Sequence, residues 1–217
     1  MSDRSAIFGA IKSANRAPAL SADQIAEEAA QLVASPQKIQ PAFDSAALLD
    51  RFVAKATSER VTATVDRVTT MAEIPAAVSR YLTEVGQTGP VAVQDCHVLD
   101  HMDWSSLNRV SNLAEDGGIA VTLAEYGIAE TGSIVCRSGA DSPILLNFLP
   151  LYHIVVLRAS TLVAYSEDLW PLLGGRTAPQ SRLLTLITGT SGTADIEARN
   201  VRGAHGPKYM HIVIALD

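Results

Sequence analysis

Apolar residues in the first quarter of the chain return every three or four positions, which is the spacing of amphipathic helices. The pattern predicts a short helix over residues 5–16 and a second helix that opens with the capping box Ser21-Ala-Asp-Gln24. A third amphipathic helix is predicted from about Asp44 onward. We therefore predict a helical N-terminal arm over residues 1–43 and an α/β domain over residues 44–217.

Strands and helices alternate in the next part of the chain. Apolar and polar residues alternate over Val61–Val65, which predicts a strand near a sheet edge. A helix is predicted after it, with Pro75 in its first turn and Gly86 at its end. The further elements predicted are a strand over Gly89–Val93, a helix over Asp103–Ala114 and a strand over Gly118–Leu123. This alternation predicts an α/β fold with a mostly parallel, Rossmann-like sheet that is covered on both faces.

The second half is richer in strands, because its apolar runs follow one another with little room for helices. The predicted strands are Ser133–Cys136, Ile144–Leu146, His153–Leu157, Leu162–Ala164, a buried strand Leu183–Ile187 and a last strand Met210–Leu216. The predicted helices are a short one near Ser166–Leu173 and one over Thr193–Asn200.

Composition excludes several classes of protein. The 217 residues are 47% hydrophobic and carry a net charge of -6, and no run of lysines or arginines forms a stripe along which phosphates could lie. No uncharged stretch reaches the roughly 18 residues that a membrane-spanning helix needs, and the N-terminus lacks the apolar core of a secretion signal. We predict a cytoplasmic protein that binds neither nucleic acid nor membranes and whose oligomeric state the sequence leaves open.

Metal binding is not expected. The two cysteines, Cys96 and Cys136, cannot supply the four thiolates of an iron–sulfur cluster or a structural zinc site, and we predict that both are buried thiols. The segment Asp95–Asp103 contains the densest set of metal-ligating residue types. It follows a predicted strand directly and has no distant third ligand, so a polar loop is the favoured interpretation.

Three polar segments are candidates for chemistry. The loop Gly189-Thr-Ser-Gly192 could bind an anion through its backbone N–H groups, or it could simply cap the predicted helix that follows. Glu130, in a predicted turn, could act as a base or nucleophile, although a solvated turn carboxylate is the simpler reading. His205 stands in Gly203-Ala-His-Gly206 and could titrate near neutral pH or hold a loop carbonyl. We expect these groups to meet near the carboxyl ends of strands, where open α/β sheets usually bind ligands.

Taken together, Ala129-Glu-Thr-Gly-Ser133, Thr188-Gly-Thr-Ser-Gly-Thr-Ala-Asp-Ile-Glu197 and Gly203-Ala-His-Gly-Pro207 resemble the motifs of the LUD-domain family in order and spacing. The resemblance implies a fold like that of ribose-phosphate isomerase, glucosamine-phosphate deaminase and the CoA transferases. It also implies a role in oxidising L-lactate to pyruvate alongside iron–sulfur partner proteins, which would carry the clusters. No cofactor bound by this chain itself is predicted.

The motif matches assign site residues one by one. The catalytic assignments that the resemblance implies are Glu130, Asp195 and His205. The ligand-binding assignments are Thr131, Gly132, Gly189, Ser191, Thr193, Glu197 and Gly206. The chain departs from the family pattern at Thr190 and Gly192, where the family usually has proline and arginine. The missing arginine removes a natural bidentate clamp for a carboxylate or phosphate.

Three hypotheses about function follow. The first is a component of an L-lactate utilisation system that binds a small acid or a cofactor and relies on iron–sulfur partners for electron transfer. The second is a freestanding enzyme that acts on a sugar phosphate, a thioester or a folate-like substrate. The third is a ligand-sensing module without catalysis.

Overall fold

The structure is a computed structural model, and it describes residues 3–14, 20–34, 40–42, 44, 47–113, 117–175, 179–196 and 199–217. The chain divides into two compact units, Met1–Pro41 and Ala42–Asp217.

Within its described residues, the first unit forms the helices α1 (Asp3–Ala14) and α2 (Ala22–Ala34), as the apolar spacing predicts. The predicted capping box opens α2. The Ser21 backbone N–H donates to Gln24 Oε1 at 2.9 Å, and the Gln24 backbone N–H donates to Ser21 Oγ at 3.2 Å. Ile7, Phe8 and Ile25 are all more than half exposed.

The second unit is built around a six-stranded sheet in which every neighbouring pair of strands is parallel. The order is β1-β12-β7-β4-β2-β3, which confirms the predicted mostly parallel α/β fold. The strands of this central sheet are β1 (Thr64–Val68), β2 (Val91–Val93), β3 (Arg109–Val110), β4 (Ile119–Leu123), β7 (Tyr152–Arg158) and β12 (Tyr209–Ala215).

The described residues of the second unit form four α-helices. They are α3 (Leu48–Ala56), α4 (Ile74–Glu84), α5 (His97–Asp100) and α6 (Leu169–Leu172). Pro75 stands in the first turn of α4, and Gly86 follows its end at φ 70°, as predicted. The apolar side of α4, with Ile74 and Val78, packs against the central sheet in one core cluster.

A second sheet supplies the other core. Its four strands have the order β8-β5-β6-β9, and they are β5 (Tyr126–Ile128), β6 (Ser133–Arg137), β8 (Leu162–Val163) and β9 (Leu184–Ile187). Phe52 of α3 is fully buried in the cluster that joins Ile134 of this sheet to Ile212 of the central sheet. The chain between β9 and β12 forms a two-stranded antiparallel ribbon, β10 (Gly192–Ile196) and β11 (Arg199–Arg202).

The helix predicted over Thr193–Asn200 is therefore wrong. Thr193 pairs with Val201 and Ile196 with Arg199, so this segment pairs its backbone across a ribbon instead of along a helix. Thr193, Ile196 and Val201 are β-branched, and such residues favour extended backbone when a pairing partner is at hand.

Two other predictions fail where local turns replace regular elements. Over the described part of Asp103–Ala114, which excludes Ala114, no helix forms. Asp103 Oδ1 accepts the Ser105 backbone N–H at 3.0 Å, and this turn leads to β3. The segment predicted as the strand Ile144–Leu146 is a 3₁₀ turn, Ile144–Asn147, that begins directly after Pro143.

The strand predicted over Leu183–Ile187 exists as β9, but it is not buried. It is an edge strand that pairs with β6 alone among the described strands. Leu186 is 42% exposed as a result. The first strand, β1, lies at an edge as predicted, although it begins at Thr64 instead of Val61.

Candidate functional site

Parallel strands give the central sheet two chemically different ends. His205, Gly206 and Pro207 come shortly before β12, so they lie at the amino end of the sheet. The expectation that the candidate groups meet near the carboxyl ends is wrong for these residues. The physical reason is that β12 runs in the same direction as its neighbours, and any segment that enters it arrives at their amino ends.

Glu130 lies in the turn that joins β5 to β6. Its backbone N–H donates to the Ala164 carbonyl oxygen at 3.0 Å, and the residue is half-buried. Gly132 has φ 72°, and a β-carbon at this position would lie 2.5 Å from the Ala56 backbone nitrogen. Close packing against the end of α3 thus requires glycine here, and the ligand-binding role of Gly132 stays a prediction.

Hydroxyl groups connect this turn to the loop after β9. Thr131 Oγ1 lies 2.7 Å from Ser133 Oγ, and Ser133 Oγ lies 2.6 Å from Thr188 Oγ1. Ser133 is buried, whereas Thr131 and Thr188 are exposed at the two ends of the relay. Two of the segments that the resemblance singled out are therefore in direct contact.

The loop after β9 also contacts the segment of His205. The Ser191 backbone N–H donates to the Pro207 carbonyl oxygen at 2.8 Å, and the Gly203 backbone N–H donates to the Ser191 carbonyl oxygen at 3.0 Å. A β-carbon on Gly206 would lie 3.1 Å from Ser191 Cβ. Gly206 and Ser191 are thus packed together, and all three motif segments form one contiguous region.

Arg202 supplies a guanidinium to this region. Arg202 pairs with Gly192 across the β10–β11 ribbon. Gly192 stands where the family pattern usually has an arginine, so Arg202 brings a guanidinium next to that position. Its Nη1 donates to Thr190 Oγ1 at 3.0 Å and also to Thr62 Oγ1, and the two threonine hydroxyls are 2.7 Å apart. Thr62 has φ 62°, a strained conformation for a β-branched residue. Sequence reasoning missed Arg202, because its approach to Thr190 depends on the ribbon.

Two of the remaining motif residues, Thr193 and Asp195, lie on β10 of the ribbon. Thr193 is half-buried on β10 opposite Val201. Asp195 lies on the same strand, and Glu197 lies outside the described residues. Their catalytic and ligand-binding assignments stay predictions.

His205 is exposed and lines a hollow of about 490 Å³ at the amino end of the central sheet. The other residues that line this hollow are Gly117, Phe148–Leu151, Gly203, Ala204 and Gly206. Glu130 is not among the described lining residues, so Glu130 and His205, two of the three predicted catalytic residues, do not share this hollow.

A larger cleft, of about 550 Å³, lies at the opposite, carboxyl end of the sheet. Gln94 follows β2 and Glu125 follows β4, and both line it. Arg137 and Ser138 at the end of β6 and the turn around Asp141 also line it. We call this space the carboxyl-end cleft. Its location is the usual one for ligands of open α/β sheets.

An ion pair and an amide bridge hold the walls of the carboxyl-end cleft. Arg137 Nε donates to Glu125 Oε2 at 2.6 Å, and Arg137 Nη2 donates to Glu125 Oε1. The Glu125 carboxylate raises the pKa of the Arg137 guanidinium. Gln94 is buried; its Oε1 accepts the Leu123 N–H at 2.8 Å, and its Nε2 donates to the Asp141 carbonyl oxygen at 2.8 Å. The signal available in the sequence was that Gln94 comes directly after one predicted strand and that Glu125 comes two residues after another.

Both cysteines are buried free thiols, as predicted, and both line the carboxyl-end cleft. Burial raises the pKa of Cys136 to about 12 and also raises the pKa of Cys96. The two groups are therefore neutral thiols at neutral pH. In the parts of the chain that the structure describes, no three His, Cys, Asp or Glu residues cluster as a metal site would require. Asp95–Asp103 forms α5 and a turn, with the His97 and His101 rings 4.3 Å apart.

Comparison with known proteins places these observations in a family context. The sequence model of the LUD domain family matches residues 49–215. An uncharacterized protein YkgG of Escherichia coli K12 is 33% identical over 127 residues, covering 56% of this chain and 54% of that protein. Lactate utilization protein C of Halalkalibacterium halodurans is 33% identical over 135 residues, covering 60% and 57%. Lactate utilization protein C of Geobacillus thermodenitrificans is 28% identical over 176 residues, covering 69% and 71%.

The alignments reach only part of these relatives. The chain spans about half the length of the first curated relatives that it matches, between 51% and 57%. A crystal structure of a DUF162 family protein from Deinococcus radiodurans resembles the fold, with a TM-score of 0.57 at 18% identity over 80% of this chain and 99% of that one. Among the described helices, none combines the length and hydropathy that crossing a bilayer demands.

Proposed function

The chain belongs to the LUD-domain family, and we propose that it serves the utilisation of L-lactate as one component of a system that oxidises lactate to pyruvate. The observation that carries this proposal is the family match over residues 49–215, together with relatives named lactate utilization protein C. In this proposal the chain binds a small acid, and iron–sulfur proteins associated with it transfer the electrons.

The chemistry of the described residues supports a division of labour of this kind. Oxidation of lactate releases two electrons, which need an acceptor. The chain has two cysteines, fewer than the four thiolates that usually hold an iron–sulfur cluster, and the proposal therefore assigns electron transfer to other proteins. The acid, hydroxyl and guanidinium groups present here are suited to binding and proton transfer instead.

The experiment that tests the proposal is reconstitution of lactate oxidation from candidate iron–sulfur proteins, with and without the full chain. We expect the rate of pyruvate formation to depend on the chain and the chain to co-purify with at least one of the other proteins. An unchanged rate, combined with the absence of physical association, would contradict the proposal.

A further inference from the structure

We propose that the carboxyl-end cleft is a binding site for a small hydroxy acid and that Arg137 holds the carboxylate of this ligand. The proposal goes beyond the motif segments, which lie at the other end of the central sheet. It rests on the proposed function only for the choice of lactate among the acids that are tested.

Arg137 lines the cleft, and its guanidinium retains N–H donors that Glu125 does not use. Arginine has five N–H donors in a planar fork, and Glu125 takes one from Nε and one from Nη2. Among the described residues, Nη1 has no hydrogen-bond acceptor in the protein. A ligand carboxylate can therefore accept hydrogen bonds from Nη1 while Glu125 keeps the guanidinium oriented.

The charge of the walls favours one carboxylate over a more highly charged group. Arg137 carries the only permanent positive charge among the described lining residues, and Glu125 and Asp141 are both acidic. A phosphate group, with a charge approaching two, would face these carboxylates with a single guanidinium to offset them. A monocarboxylate carries about half that charge, so Glu125 and Asp141 repel it less strongly.

Hydroxyl groups on the ligand have partners on the same walls. Ser138 Oγ accepts the Leu183 N–H at 3.0 Å and keeps its own proton for donation. Glu125 and the exposed Asp141 offer carboxylate oxygens that can accept a ligand hydroxyl. The cleft volume of about 550 Å³ exceeds the space that six heavy atoms of lactate fill, so a longer hydroxy acid should make more of these contacts.

Hydrogen bonds within the chain hold the walls of the cleft together. Gln94 ties the central sheet to the Asp141 turn, and the Ser138 backbone N–H donates to the Leu183 carbonyl oxygen at 2.9 Å. The Asp141 turn is itself closed by hydrogen bonds between Gly139 and Ser142. A preformed site loses less conformational entropy on binding than a site that must be ordered.

The test is a titration of the ¹⁵N-labelled full chain with L-lactate, D-gluconate and D-glucitol, followed by backbone amide NMR. D-Glucitol keeps the hydroxyls of D-gluconate but has no carboxylate. We expect both acids to shift the amide signals of Glu125, Arg137 and Ser138, D-gluconate at lower concentration, and D-glucitol to shift them far less. Arg137→Gln should weaken D-gluconate binding by about tenfold or more.

Two further variants keep the test decisive. Arg137→Lys preserves the charge beside Glu125 but cannot present a second planar donor face, so it should also weaken binding. Arg80→Gln breaks the comparable Arg80–Asp66 surface ion pair on another part of the domain and should leave binding unchanged. Wild-type affinity in both Arg137 variants would overturn the proposal.

Other outcomes also decide against it. The proposal fails if D-glucitol binds as well as D-gluconate, if neither acid binds, or if the acids shift only signals around Ser191 and His205. Reconstituted lactate oxidation separates this inference from the proposed function. Oxidation that requires the chain although no acid enters the cleft leaves the function standing and removes the site. Acid binding in the cleft, combined with lactate oxidation that does not require the chain, leaves the site standing and removes the proposed function.

Discussion

The carbonyl oxygen of Val61 occupies the space that a β-carbon on Gly189 would need. Gly189 has φ 76°, a left-handed conformation, and the backbone N–H of its neighbour Thr190 donates to the same carbonyl oxygen at 3.2 Å. The loop after β9 is therefore seated on the segment that leads into β1, with glycine required at the point of contact.

Gly189→Ala should destabilise the domain by about 2–4 kcal/mol, because the substitution combines left-handed strain with overlap against a backbone atom that cannot move freely. Urea unfolding measures the effect. Gly89→Ala is the matched control, since no heavy atom lies within 4 Å of a β-carbon built there. A loss at position 189 no larger than at position 89 would contradict the packing argument.

Ser133→Ala should cost about 1–2 kcal/mol of unfolding free energy, because the buried hydroxyl bonds to both Thr131 and Thr188. Thr131 and Thr188 are exposed and can turn to water, which keeps the cost at this level. Ser160→Ala, at an exposed position, should change stability by less than about 0.5 kcal/mol. Equal stability of the two variants in chemical denaturation would show that the relay contributes nothing.

Two buried histidines make the domain sensitive to acid. Burial lowers the pKa of His153 to about 3 and that of His211 to about 4. The unfolded chain, with histidine pKa values near 6.5, binds these protons first, so stability falls as the pH drops from about 6.5 toward 4. Each histidine contributes a slope of up to about 1.4 kcal/mol per pH unit in that window.

His153→Gln should reduce this slope by the contribution of one histidine, because an amide does not titrate. The amide can still bond to Thr122 Oγ1, which lies 2.8 Å from His153 Nε2. Urea titrations between pH 4 and pH 7 measure the slope. His97→Gln, at an exposed position, controls for the removal of a histidine as such. An unaltered slope in His153→Gln would be inconsistent with a neutral buried imidazole.

Gln94→Met should loosen the carboxyl-end cleft, because it removes the hydrogen bonds to Leu123 and to the Asp141 turn. Cys96 and Cys136 line this cleft and are nearly inaccessible, so their alkylation by iodoacetamide reports the opening. We expect modification several times faster than in the wild type, counted by mass spectrometry. Gln87→Met serves as the control, since Gln87 bonds to Tyr152 instead.

Glu130 stays a predicted catalytic residue, and its setting allows a clean test. Because the residue is half-buried and its backbone N–H makes the bond to Ala164, Glu130→Gln should leave folding intact. We expect the variant to lose most of the reconstituted lactate-oxidising activity, while Glu84→Gln, at an exposed position, retains it. Full activity in Glu130→Gln would remove the catalytic assignment.

Local sequence signals predicted the elements that they govern. The capping box at Ser21, the position of Pro75 and the apolar run of β12 each act within a few residues, and the structure contains a corresponding element at each place. The ribbon of β10 and β11 was missed because its geometry depends on cross-strand pairing, which a helical periodicity does not reveal.

The candidate site was also predicted only in part. Contacts such as Ser133 with Thr188 and Ser191 with Pro207 unite segments that the family resemblance had grouped. The carboxyl-end cleft was not predicted, because Glu125 and Arg137 belong to no motif and meet only when β5 and β6 pair as an antiparallel hairpin. The end of the sheet at which His205 lies was predicted wrongly. That end depends on β12 running parallel to β7, and strand direction is a property of the whole sheet.

Because β12 lies between β1 and β7, the central sheet cannot be completed until the C-terminal strand has been synthesised. Among the described strands, β1 pairs only with β12, and Thr64 of the former bonds to Met210 of the latter across a sequence separation of 146. While a ribosome is still translating the intervening segments, β1 has no strand to join. Closure of so long a loop is slow, and the nascent domain exposes apolar surface for that interval, which makes it a natural client for chaperones.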